Sequence, residues 1–146
     1  MATPWLDVGA LLVARIQAQV PTLSTVLECS SVEAALQVPL IAPAAVVVFD
    51  GDEPAGIDGQ SETGDLQVVQ LRWVVLVVVA AARAVPTGAA ARAAATPFIT
   101  GVIEALGGWR PGAGMGPLVR AADAPHPSVR ARRAYYPQMY RHVVVL

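Results

Sequence analysis

The stretch Arg72–Arg83, RWVVLVVVAAAR, holds ten residues without a polar side chain between two arginines. A helix needs about 20 apolar residues to cross a bilayer. Ten residues at ~1.5 Å each reach only about 15 Å. A strand of a membrane barrel should alternate apolar and polar residues, and this run does not. Val74, Val75, Val77, Val78 and Val79 are β-branched and Trp73 is aromatic, a composition that favours a strand. A short apolar run of this kind reads as a core strand covered on both faces.

The surrounding pattern extends that strand from Leu66 to about Ala81. Its odd positions, Val69, Leu71, Trp73, Val75 and Val77, are apolar throughout. Its even positions begin with Gln70 and Arg72 and turn apolar from Val74. One face is therefore expected to be buried along its whole length. The other is expected to be covered only in its second half, by another element or by another subunit. The second option predicts a ring, because two helices in one domain do not obviously reach Val74, Leu76 and Val78.

The remaining chain divides around this strand. Thr3 and Pro4 suit a helix cap and first position. Leu6, Ala10, Val13, Ile16 and Val20 recur at helical spacing, giving a first helix over about 4–19. STVLEC (24–29) reads as a short strand. SSVEAALQ follows, with Ser30 or Ser31 as a cap for one or two helical turns. PAAVVVFD (43–50) is a further strand. Residues 50–65 hold six acids and four glycines and are expected to form a long loop or exposed hairpin tip. A second helix spans about 88–106, with Ala94, Phe98, Val102 and Leu106 on one stripe. Pro97 should kink it or restart it with Thr96 as a new cap, and Gly107 and Gly108 end it. Strands follow at 118–123 and 131–146, and Pro137 makes the last one an edge, or bulged, at that point. The expectation is an α+β fold: a mostly antiparallel mixed sheet of four to five strands, with two main helices packed on one face. The 146 residues suit one domain.

Composition narrows function by exclusion. Apolar residues make up 55% and charged residues 14%, against about a quarter charged in ordinary domains. Such a chain is expected to hide surface against partners. A net charge of −1 gives no sign of a general nucleic-acid binder, and arginine supplies all ten cations. The single cysteine, Cys29, excludes an internal disulfide. No basic leader precedes the first helix, so folding in a reducing cytoplasm is expected.

Catalytic patterns are not found. His126, between prolines, and His142, in the last strand, match no metal spacing even with Asp123 nearby. Asp50, Asp52 and Asp58 invite a calcium reading, but Pro54 and Ala55 stand where an EF-hand needs an oxygen ligand and glycine. Cys29 has no base placed by sequence and reads as a small hydrophobe. The glycines of GGWRPGAGMG lack the phosphate-loop pattern and its lysine, and read as a helix end and a turn. No enzyme and no cofactor are expected.

Two stretches are candidate interaction surfaces. One is the acidic segment, with Asp50, Asp52, Glu53, Asp58, Glu62 and Asp65. The other is VRARRAYYPQMYR (129–141), with Arg130, Arg132, Arg133, Tyr135, Tyr136 and Tyr140. Arginine and tyrosine serve both nucleic-acid stacking and protein contacts; the near-zero net charge and Pro137 favour protein contacts.

The order of elements, LLVARIQAQVP, AAVVVFDG, QLRWVVLVVVAAAR, the turn from Leu106 through Gly107 and Gly108 to Trp109 and Pro111, and the closing YRHVVVL together resemble the tail terminator proteins of long-tailed phages and prophages. The likeness runs over nearly the whole chain and lies in pattern and one turn. Pro97 inside the second helix and the stop directly on the last strand depart from it. The resemblance implies a virion structural protein, assembled in the host cytoplasm. It would form a ring, of six copies, on the head-proximal end of the tail tube. Its partners would be itself, the tail tube protein and a neck or head-completion protein, with no membrane, and DNA would pass through the lumen unread. A head–tail connector, a minor tail protein or, further off, a small α+β enzyme or ligand-binding domain are the alternatives.

Overall fold

The computed structural model describes residues 5–54, 68–81 and 88–146. A 3-10 turn (Trp5–Asp7) leads into α1 (Val8–Gln19), followed by β1 (Thr25–Cys29), α2 (Val32–Gln37), β2 (Ala44–Pro54) and β3 (Val68–Ala80). Then come α3 (Ala89–Leu106), β4 (Val119–Ala121), β5 (Ser128–Arg130) and β6 (Arg133–Val145). The strands form one six-stranded sheet in the order β1-β2-β3-β6-β4, with β5 also on β6. Only the β1–β2 pair is parallel. The fold is α+β, as expected, with one strand beyond the expected count.

β3, which holds residues 72–80 of the apolar run, is the centre of this sheet. β3 pairs with β2 on one side and with all of β6, from Arg133 to Val145, on the other. Leu71, Trp73, Val75 and Val77 meet Val8, Leu12 and Ile16 of α1 and Val102, Ala105 and Leu106 of α3 in one core. Both main helices thus lie on one face, with Phe98 and Ile99 extending α3 over Val79 and Ala134.

The opposite face takes the first of its two expected covers, another element of the same chain, so it gives no argument for a second subunit. Val74, Leu76 and Val78 are fully buried among Ala35, Leu40, Ala44, Val46, Val48, Tyr135 and Met139, with Val32 and Leu36 of α2 packed alongside. The six-residue α2 and the segment after it provide the cover. Ser31 makes that short helix possible by accepting the Ala34 N–H at 3.0 Å, which satisfies one orphan donor of the first turn.

Other boundaries shift for local reasons. The buried stripe of α1 is Val8, Leu12 and Ile16, whereas Leu6 and Ala10 are exposed. The 3-10 turn through Asp7 resets the phase that simple spacing assigns. In α3, Ala95 rather than Ala94 is buried. α3 continues past Pro97; Thr96 is no cap, and its hydroxyl donates back to the Arg92 carbonyl at 2.8 Å. β2 does not stop at Asp50. It continues to Pro54 through a bulge in which Asp50 and Gly51 face the single residue Arg72, with Gly51 at φ +105°, a value glycine tolerates. The first five residues of the expected acidic loop are therefore strand.

The last strand begins at Arg133, not Ala131. Arg130 and Arg133 pair across a two-residue hairpin turn, with Ala131 at φ 51° and Arg132 at φ 62°. The turn makes that pair the doubly hydrogen-bonded one, so alternation aims the main-chain groups of residues 133, 135, 137 and 139 toward β5 and β4. β5 reaches only to Tyr135, and β4 begins opposite Met139. Pro137 sits in the gap between them, where no strand partner waits for its missing N–H. The strand is locally an edge there, as expected.

Candidate interaction surface

The covered half of the sheet gives way to an open half where the even positions of β3 turn polar. Glu53, Gln70, Arg72, Met139, Arg141 and the β4 residues Arg120–Ala121 line a groove of about 560 Å³. Arg72 anchors it. Its Nη2 donates to Asp123 Oδ2 at 2.5 Å, and its Nε lies 3.6 Å from Asp50 Oδ2. Gln70 donates to Glu53 Oε1 at 2.8 Å. Asp123, weighed by sequence as a metal partner of His126, is thus an arginine partner, and His126 is exposed on its loop. Among the described residues no group of three or more His, Cys, Asp or Glu side chains comes together to hold a metal. The alternation of Gln70 and Arg72 signalled this wet half; Arg120, Arg141 and Asp123 carried no such signal, because only strand pairing brings β4 alongside.

The expected site residues separate into several environments. Asp52 and Glu53 are exposed at the end of β2. Asp58, Glu62 and Asp65 lie outside the described residues. Arg130 and Arg132 are exposed on the β5–β6 hairpin. Arg133 turns inward instead: its Nη1 and Nη2 donate to the carbonyls of Val38, at 3.4 Å, and Leu40. It ties the segment after α2 to the sheet and is a staple rather than a free contact residue.

The tyrosines correct the sequence expectation most. Tyr135 is 1% exposed and Tyr140 0%, on opposite faces of the sheet, and Tyr136 is half-buried. Neither Tyr135 nor Tyr140 presents a free ring for stacking on bases or a partner, while Tyr136 keeps part of its surface open. Strand alternation sends Tyr135 under α2 and Tyr140 under the main helices. The Tyr140 hydroxyl donates to Gln138 Oε1 at 2.5 Å, and burial raises its pKa, with nearby Arg120 acting in the opposite direction. His142 is also a core residue, accepting from Trp73 Nε1 at 3.2 Å. Cys29 is half-buried; burial, then Glu28, raises its pKa, which keeps the thiol protonated and poorly nucleophilic.

The turn after α3 has a defined architecture. The Gly107 N–H closes on the Ile103 carbonyl, and Gly108 at φ 78° redirects the chain. Gly108 N–H donates to Leu118 O, and Leu118 N–H to Trp109 O. Arg15 of α1 reaches over to donate from Nε to Ala105 O at 2.9 Å while its guanidinium lies 5.4 Å from the Trp109 ring centroid. The glycines are thus a helix end and turn, as expected.

Fold and surface together define a small α+β domain whose sheet is covered on one face, half-covered on the other, and rimmed by arginines and aliphatic side chains. The chain belongs to the phage tail terminator family, whose model matches residues 1–146. No curated protein matches it. Membership gives the protein a role in phage tail assembly, a place in the virion tail and contact with other tail components; the family is a structural one, not a class of enzyme. Among the described residues no helix is long and apolar enough to cross a membrane.

Proposed function

We propose that the chain works as one tail-terminator-like domain, assembling into a ring of six copies that caps the head-proximal end of the tail tube. The ring stops tube elongation and offers its other side to a neck or head-completion protein, while DNA passes through the lumen without sequence reading. The observation that carries this reading is the β4–β5–β6 side of the sheet. Of the seven exposed large hydrophobic residues among the described residues, five lie there: Val119, Val129, Val143, Val145 and Leu146. Arg120, Arg130, Arg132 and Arg141 are exposed beside them. Aliphatic groups interleaved with arginines are the composition of a protein contact, and a patch on one edge meeting a different patch on the next copy closes a ring.

Electron microscopy and native mass measurement at micromolar concentration, with and without purified tail tubes, test the proposal. Rings seated on tube ends are the expected result. A chain that stays monomeric in both conditions overturns it, and binding to the portal side instead identifies a head–tail connector. DNA binding that falls steeply with salt, by an intact ring, would replace the protein-contact reading of Arg130 and Arg132.

A further inference from the structure

The charges of this chain are sorted by their place in the sheet. No cation stands between Arg15 and Arg72, a span that holds Glu28 and Glu33. Beyond Glu104 the only acid is Asp123, among six arginines. Topology sends these two parts of the chain to opposite edges. β1 is one edge strand and carries Glu28, and α2, which carries Glu33, lies over Leu27 and Cys29 of β1. β4 and β5 make the other edge and carry Arg120 and Arg130, with Arg132 in the hairpin turn. All five side chains are exposed, and none enters an ion pair among the described residues.

Within one copy this arrangement attracts almost nothing. The order β1-β2-β3-β6-β4 puts four strand spacings between the edges, roughly 19 Å at about 4.8 Å each. That is more than the screening length of about 8 Å at physiological salt. Between copies the attraction is short-range, because opposite signs meet when one edge faces the other. The exposed apolar side chains divide in the same way. Five of the seven large ones are on the arginine side, and the remaining two, Leu6 and Ile41, are on the β1 side. Leu6 lines a recess of about 390 Å³ with Glu28, Cys29, Ser30, Phe49 and Trp73. The Ile41 carbonyl accepts from the Thr25 hydroxyl of β1. Each edge thus joins exposed aliphatic groups to unpaired charge of one sign.

We infer that the acidic β1–α2 edge of one copy packs on the arginine-bearing β4–β5 edge of the next. A contact of either edge with itself would oppose like charges, which disfavours association. Two different edges of opposite sign meet head to tail, the kind of contact that closes a ring. Glu28 and Glu33 then face arginines, and Leu6 and Ile41 face the aliphatic side chains of β4 and β5. This inference rests on the ring proposed above and adds which surface receives the arginine side.

Charge reversal tests it. Assembly is measured, with and without tail tubes, for the wild type, Glu28→Arg/Glu33→Arg and Arg130→Glu/Arg132→Glu, with the melting temperature as the control on folding. Each reversed variant alone should associate about tenfold more weakly or worse. Mixed in equal amounts, the two should assemble again, in rings that alternate between them and so hold equal numbers of each by native mass. If either reversed variant assembles as well as the wild type, the inference fails while the ring stands. If both fail alone and their mixture fails too, each edge meets something other than its opposite, and the inference is again overturned. If a reversed variant forms rings but no longer seats on tubes, that edge is the tube contact and the assignment to a neighbouring copy is wrong. The neutral pairs Glu28→Gln/Glu33→Gln and Arg130→Gln/Arg132→Gln decide the question where a reversed variant melts below the wild type: weaker association supports the inference, and unchanged association overturns it. A wild type that stays monomeric in both conditions removes the ring reading, and the inference with it.

Discussion

Trp73 donates its indole N–H to His142 Nε2 across 3.2 Å, between neighbouring strands β3 and β6 in the buried core. The imidazole must accept at Nε2, so it is neutral and carries its proton on Nδ1, which has no partner among the described residues. Burial pushes the His142 pKa down to about 4 from an ordinary 6.5. Above pH 6.5 both folded and unfolded chains hold a neutral imidazole. Between about 6.5 and 4 the unfolded chain takes up a proton that the folded chain refuses, so stability falls with pH, by roughly 3 kcal/mol once pH is below 4. Urea unfolding across this window should show the fall, and His142→Gln should flatten it relative to the wild type. An equal slope in the variant would assign the fall to other groups.

Arg15 should be worth about 2 kcal/mol. It satisfies the last-turn carbonyl of Ala105 and lies over Trp109, joining a charged hydrogen bond to a cation–π contact. Arg15→Ala should lower the urea midpoint accordingly. Arg15→Lys should recover less than half of the loss, since an ammonium does not reproduce the planar fork.

Gly9 sets how closely α1 approaches the sheet. A methyl built there lies 1.3 Å from Glu28 Oε2 and 3.1 Å from Trp73 Cζ3. The exposed Glu28 can swing aside; the buried Trp73 cannot. Gly9→Ala should be near neutral, because helix propensity returns about 1 kcal/mol. Gly9→Val should cost about 2–3 kcal/mol through overpacking, measured by thermal unfolding.

The hairpin turn invites stabilisation. Ala131 and Arg132 both occupy the left-handed region, which costs ordinary residues roughly 1–2 kcal/mol each. Ala131→Asn with Arg132→Gly supplies the residue pair such a turn favours and should raise stability by about 1 kcal/mol or more. A lower melting temperature would show that the Arg132 side chain holds the turn.

Arg133 and its neighbours should behave oppositely. Arg133→Ala leaves two carbonyls, of Val38 and Leu40, without their donor and should cost about 1–3 kcal/mol. Arg130→Ala with Arg132→Ala, on exposed positions, should change stability by under ~0.5 kcal/mol while weakening assembly. Stability measured beside ring formation separates the two effects.

What the sequence determined by itself was local. The unbroken valines of β3, the caps at Ser31 and Gly107, and the polar start of the even face at Gln70 and Arg72 depend on neighbours within a few residues, where periodicity and backbone preference act directly. They suffice for the fold class, the central strand and the bounds of α3. Tertiary structure decided the rest. Whether Tyr135 and Tyr140 are buried depends on which face each takes in a register with a strand some 60 residues away, and on α2 and the main helices covering those faces. Whether Arg133 is a contact or a staple depends on the carbonyls of Val38 and Leu40, nearly a hundred residues earlier. The β5–β6 turn carries no glycine or asparagine, so its left-handed residues are held by the pairing on either side rather than announced by composition. The gap at Pro137 exists only because two short strands share β6, a consequence of their lengths and register.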